Sequence, residues 1–144
     1  MAVSVACALG EVGMITARDM MTMDVVTITG DTPIRVAIDL LIRHNISGIP
    51  VVRDDSTLVG IITERDILRL IDEPQSVNNG KVEDFMTTPV VSFELRSSVR
   101  KMCDFLAGKC MRRLPITQDG KLVGIVSRRD IIKSIMETEG AAVV

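Results

Sequence analysis

Two short groups of residues in this chain have the types and spacing to do chemistry. Thr63 is followed three positions later by Asp66, and Ser127 by Asp130; each hydroxyl closes an apolar, β-branched run and each carboxylate opens a helix-like pattern. At that spacing the pair can satisfy the free N–H groups of a helix's first turn, or turn outward and accept hydrogen bonds from a ligand's hydroxyls. The motif is written twice: Leu58-Val-Gly-Ile-Ile-Thr-Glu-Arg-Asp-Ile67 is answered by Leu122-Val-Gly-Ile-Val-Ser-Arg-Arg-Asp-Ile131, 64 positions on. Capping explains one copy well. It explains less well why both copies take Asp where Glu or Gln closes the box better.

No other constellation competes. His44, the single histidine, falls near the end of a helical pattern, where a cation suits the last carbonyls, and reads as structural. There is no nucleophile with a positioned base, no P-loop and no His-Glu-x-x-His, so neither a catalytic residue nor a metal site is assigned and the chain reads as a non-enzyme. Cys7, Cys103 and Cys110 leave an odd one over and lack paired metal spacing, which fits buried thiols in a reducing cytoplasm. Met20, Met21, Met23 and Met86 read as core or dimer packing rather than as thioether ligands.

The elements that position the motif repeat as well. In the first pass Val25–Thr29 reads as a strand, and Thr32-Pro33 as a cap before a helix with Ile34, Ala37, Ile38, Leu41 and Ile42 on one face. Ser47-Gly-Ile-Pro50 reads as a turn, Ile49–Val52 and Leu58–Thr63 as strands, and Glu64 to Ile71 as a helix. The second pass echoes it at an offset of 65: Val82-Glu-Asp-Phe-Met-Thr87 for Ala17-Arg-Asp-Met-Met-Thr22, Val90-Val-Ser-Phe93 for Val25-Val-Thr-Ile28, and a helix over 99–107. Arg112-Arg-Leu-Pro115 answers Ser47 to Pro50, and a one-residue deletion at Gln118–Lys121 brings the offset down to 64.

The expected organisation is a tail or short helix over 1–15, a repeat over 16–71, a linker over 72–80, a second repeat over 81–137 and a tail over 138–144. The fold class is α/β (α+β), two β-α-β-β-α repeats packed with pseudo-twofold symmetry around one shared core, because units of about 60 residues are individually marginal. The net charge of -2 and the absence of Trp and Tyr argue against nucleic acid. Residues 1–14 lack a basic segment and are interrupted by Glu11, so neither a signal peptide nor a membrane span is expected there.

The order of these motifs, duplicated at constant spacing from Thr16 to Met136, resembles a tandem pair of cystathionine-β-synthase (CBS) domains, a Bateman module. The resemblance implies a regulatory module that binds AMP, ADP, ATP or S-adenosylmethionine in clefts between the repeats, with no required cofactor. Asp66 and Asp130 would contact ribose hydroxyls, with Thr63 and Ser127 nearby. Val25, Val26, Val90 and Val91 would line the adenine pocket, and the turns at Ser47, Gly48, Ile49 and Pro50 and at Leu114 and Pro115 would line the clefts. It also implies that Asp66 shares a cleft with Arg112, Arg113 and Arg129, a phosphate site, while Asp130 faces Ser47 and Gly48 with Arg65 the one obvious cation. Unequal sites are therefore expected. A homodimer and an unidentified target protein are the implied partners, without nucleic acid or membrane. The competing reading is a ligand-free structural or protein-interaction module in which the hydroxyl–carboxylate pairs are helix caps and nothing more.

Overall fold

The structure, a computed structural model, describes residues 15–108 and 112–143, with side chains as far as Glu137. All of the expected N-terminal tail but Ile15, together with Cys7 and Cys110, lies outside the described residues. In chain order the elements are α1 (Ala17–Met20), α2 (Ile34–His44), β1 (Gly48–Val52), β2 (Leu58–Thr63), α3 (Glu64–Leu68), α4 (Pro74–Asn79) and α5 (Val82–Phe85). Then follow β3 (Phe93–Glu94), α6 (Val99–Gly108), β4 (Arg113–Gln118), β5 (Lys121–Ser127) and α7 (Arg128–Val143). β1 pairs antiparallel with β2, and the other sheet runs β3-β4-β5 with β3 parallel to β4.

These elements divide into two compact units. The Asp66 unit comprises Val25–Val91 and Asp119–Leu122; the Asp130 unit comprises the residues up to Asp24, Ser92–Gln118 and those from Val123 on. Each has its own buried cluster, where one shared core was expected. Ile28, Ile34, Ala37, Leu41, Ile49, Val51, Ile62, Leu70 and Val82 form the first, and Ala17, Val99, Met102, Leu106, Leu114, Ile116, Val126 and Ile131 the second.

The division does not follow the sequence repeat. α1 opens the first copy yet belongs to the Asp130 unit, whereas α5 opens the second copy and belongs to the Asp66 unit. What holds each exchanged segment is the same pair of contacts. Ile61 and Thr87 exchange backbone hydrogen bonds of 3.1 and 2.8 Å, and Thr22 and Ile125 exchange bonds of 2.9 and 3.0 Å. Beside each bridge a glycine in mid-strand leaves room for a methionine: a Cβ on Gly60 would stand 2.6 Å from Met86 Sδ, and one on Gly124 2.6 Å from Met21 Sδ. A strand glycine placed so marks a close approach. Gly60→Ala and Gly124→Ala are each predicted to cost about 1–3 kcal/mol through overpacking. Urea unfolding followed by far-ultraviolet circular dichroism checks this, and unchanged midpoints would mean that the methionines shift freely.

Several sequence expectations are corrected. Val25–Thr29 forms no regular strand; the one pairing there is a parallel bridge of Ile28 to Val51, made by Ile28 N–H to Pro50 O (3.2 Å) and Val52 N–H to Ile28 O (2.8 Å). Likewise, the pairing expected over Val90–Phe93 is confined to β3. Thr32 does not cap α2; its hydroxyl lies 3.0 Å from that of Thr29, and Gly80 O takes the Ile34 N–H instead. The helix does stop where expected, with Asn45 left-handed at φ 50° and Ile46 N–H bonded to Leu41 O. Glu64–Ile71 is α3 tightening into a 3-10 turn over Arg69–Asp72. Inside the presumed linker 72–80 lies α4, with Pro74 in its first turn. The backbone of α7 continues to Val143, where a tail was expected.

Candidate ligand-binding motifs

Each hydroxyl–carboxylate pair stands where a strand enters a helix, so an N-terminal helix turn presents its free N–H groups beside it. In the Asp66 unit the capping box is closed: Asp66 Oδ2 accepts the Thr63 N–H (2.8 Å) and the Thr63 hydroxyl (2.9 Å), and Thr63 Oγ1 accepts the Asp66 N–H at 3.3 Å. The other oxygen, Oδ1, accepts the Thr87 hydroxyl at 3.0 Å and lies 4.0 Å from Arg69 Nη1. Asp66 is 3% exposed, so its carboxylate is spent on protein groups.

The Asp130 unit uses the same motif differently. Asp130 Oδ2 accepts the Ser127 N–H (2.8 Å) and Ser127 Oγ accepts the Asp130 N–H (3.2 Å). Asp130 is half-buried, and among the described residues its Oδ1 has no hydrogen-bond partner. The capping reading thus holds in both copies, but among the described residues only Asp130 keeps a carboxylate oxygen without a hydrogen-bond partner.

The cations follow a matching asymmetry. The Arg128 N–H donates to Arg112 O at 3.0 Å, so the turn at Arg112-Arg113 adjoins the motif of its own copy, and Glu64 N–H to Ser47 O at 2.9 Å does the same for the first copy. Asp66 and the Arg112-Arg113 turn, expected to share a site, fall in different units. Arg112 and Arg129 are exposed and Arg113 half-buried, and among the described residues none of the three has an ion-pair partner. Near Thr63 the equivalent positions hold Ser47, Gly48 and an exposed Arg65.

Of the residues expected to line clefts, Gly48, Ile49 and Pro50 lie in β1 and Leu114 and Pro115 in β4. Ile49, Pro50, Leu114 and Pro115 are fully buried, and Ile49 and Leu114 belong to the cores of their units. Val25, Val26 and Val90 are half-buried and Val91 exposed, all four in the Asp66 unit. Sequence reasoning does not mark Thr87 as a site residue; its signal is the Asp-x-Met-Thr segment that both copies share.

A surface hollow of about 650 Å³ in the Asp66 unit includes Asp31, Asp54, Asp55 and Glu83 in its wall. The Thr29 hydroxyl holds the Asp31 carboxyl below its usual range, and Thr57 does the same for Asp55. Arg53 also lines the hollow, but the four acidic residues outnumber it, and an acidic wall disfavours phosphate. Among the described residues no cluster of His, Cys, Asp and Glu suits a metal ion. Burial, with help from the Asp104 charge, pushes the half-buried Cys103 thiol up, which makes it a poor nucleophile. No helix among the described residues is long and apolar enough to cross a membrane.

A chain that writes one strand–helix motif twice, and exchanges the segments that open the two copies, is a paired-repeat module. It belongs to the CBS domain family, whose model matches residues 17–73 and 82–137. Among curated relatives, MJ1225 of Methanocaldococcus jannaschii is 32% identical over 117 residues, which are 81% of this chain and 41% of that protein. Inosine-5'-monophosphate dehydrogenase of the same organism is 35% identical over 118 residues, 81% of this chain and 23% of the enzyme. The chain therefore spans less than half the length of these relatives, and such repeats also form a minor part of an enzyme. Among solved structures, CBSX2 in complex with AMP is 30% identical with a TM-score of 0.77, covering 86% of this chain and 98% of that one. The CBS domain pair of MJ0100 in complex with 5-methylthioadenosine and S-adenosyl-L-methionine is 28% identical, TM-score 0.71, covering 83% and 94%.

Proposed function

We propose that this chain is a non-enzymatic regulatory module that binds an adenosyl ligand and passes its occupancy to a partner protein. The observation that carries this is the second motif: a strand–helix junction with a half-exposed Asp130 carboxylate and the cations Arg112, Arg113 and Arg129 in one unit. A carboxylate accepts from two adjacent hydroxyls, as a ribose offers, and guanidinium groups suit a phosphate. The complexes of CBSX2 with AMP and of MJ0100 with S-adenosyl-L-methionine support the choice of ligand class. The output would be linkage. A ligand that binds one arrangement of the chain better shifts its population by no more than that difference in affinity.

Self-association fits the same reading, since Leu68 and Ile132 occupy equivalent repeat positions and are 69% and 61% exposed. A monomeric mass by light scattering at all concentrations would remove this part. The ligand claim is tested by dye-monitored thermal denaturation with AMP, ADP, ATP and S-adenosylmethionine. Ligand at 100 times its dissociation constant should add about 2.7 kcal/mol, a rise of several degrees for a chain this size. No rise with any of the four would favour the ligand-free interaction module.

A further inference from the structure

We infer that the two copies have divided the motif's work: Thr63 and Asp66 form a latch closed by Thr87, and Ser127 and Asp130 form the single ribose subsite of the chain. The inference rests on the adenosyl-binding reading and adds which copy binds and how many ligands are held.

Acceptor capacity decides it. At Asp66 both oxygens are engaged, Oδ2 by two donors of Thr63 and Oδ1 by the Thr87 hydroxyl at 3.0 Å, with Arg69 beyond at 4.0 Å. A ribose diol reaching a carboxylate that is 3% exposed would have to displace Thr87 and uncover the group. That trade exchanges one hydrogen bond for another and adds little net affinity. Asp130 asks for no such exchange, because its Oδ1 has no described partner and the residue is half-buried.

Charge points the same way. Arg112 lies one backbone hydrogen bond from Arg128, at the start of the helix that carries Asp130, so the backbones of Arg112, Arg113 and Arg129 flank that motif, and guanidinium groups suit the anionic tail of a nucleotide. The same turn of the other copy offers Ser47 and Gly48, with Arg65 on the helix. The latch has a task of its own. Thr87 lies 21 positions from Asp66, in the exchanged segment that carries Met86, so their bond fastens that segment to β2 and α3.

The test is calorimetric titration of AMP into the full chain as wild type, Asp130→Asn, Arg112→Ala/Arg113→Ala and Thr87→Val, with the melting temperature of each recorded. The division predicts one AMP per chain. Asp130→Asn should weaken binding at least tenfold with little change in melting temperature, and the double arginine variant should weaken AMP more than adenosine. Thr87→Val should melt several degrees lower yet bind within twofold of wild type. Two AMP per chain, or a Thr87→Val variant that loses affinity as Asp130→Asn does, would overturn the division while keeping the adenosyl reading. Absence of heat with wild type, where S-adenosylmethionine also gives none, would overturn both.

Discussion

Asp66→Ala is expected to lower the unfolding free energy by about 2–4 kcal/mol, well beyond an ordinary lost cap. The cap itself accounts for about 1 kcal/mol. The rest comes from donors left behind: Asp66 accepts from the Thr63 backbone, the Thr63 hydroxyl and the Thr87 hydroxyl at 2.8–3.0 Å, and a buried donor stripped of its acceptor costs about 1–3 kcal/mol. Thr87 is exposed and recovers part of this from water, which keeps the total below the simple sum. Arg69 adds little, its side chain being 76% exposed. Asp130→Ala, which removes a cap without a latch, should cost about 1 kcal/mol. Urea unfolding by circular dichroism separates the two variants, and equal small losses would mean that the Thr87 contact contributes nothing.

The second large effect is on affinity. A hydrogen bond from a ligand hydroxyl to an ionised carboxylate is worth about 1.5–3 kcal/mol net, which is roughly a 10- to 100-fold change in dissociation constant. Removing the ribose 2′-hydroxyl deletes one donor of the adjacent pair and leaves the phosphate and adenine unchanged. 2′-Deoxy-AMP is therefore expected to bind about 10- to 100-fold more weakly than AMP. In Asp130→Asn the discrimination should shrink, because a neutral amide accepts more weakly than a carboxylate.

Much of this was legible in the residues. The helical spacing of Ile34, Ala37, Ile38, Leu41 and Ile42 gave α2 to within a residue, and β2 fell on Leu58–Thr63 as expected. Val25–Thr29 misled because β-branched composition is a preference for pleated, half-buried surroundings, and here a single parallel bridge suffices. Pro74 and Gly80 are start and stop residues for α4, but the apolar spacing between them is too short to show a period, so the sequence there reads as a linker. The hydroxyl and carboxylate of each motif are three residues apart and local, so they could be found. The exchange of α1 and α5 between units was hidden for the opposite reason: a repeat says that two segments are alike, and leaves open which copy each one packs against. Gly60 and Gly124, glycines in the middle of strands, were the sign that something presses close there.

Equilibrium dialysis of AMP against 2′-deoxy-AMP with the wild-type chain tests the central claim most directly, that a carboxylate of this module reads a ribose. The expected result is saturable AMP binding with the deoxy analogue at least tenfold weaker. Equal binding of the two nucleotides, or none of either, would contradict it.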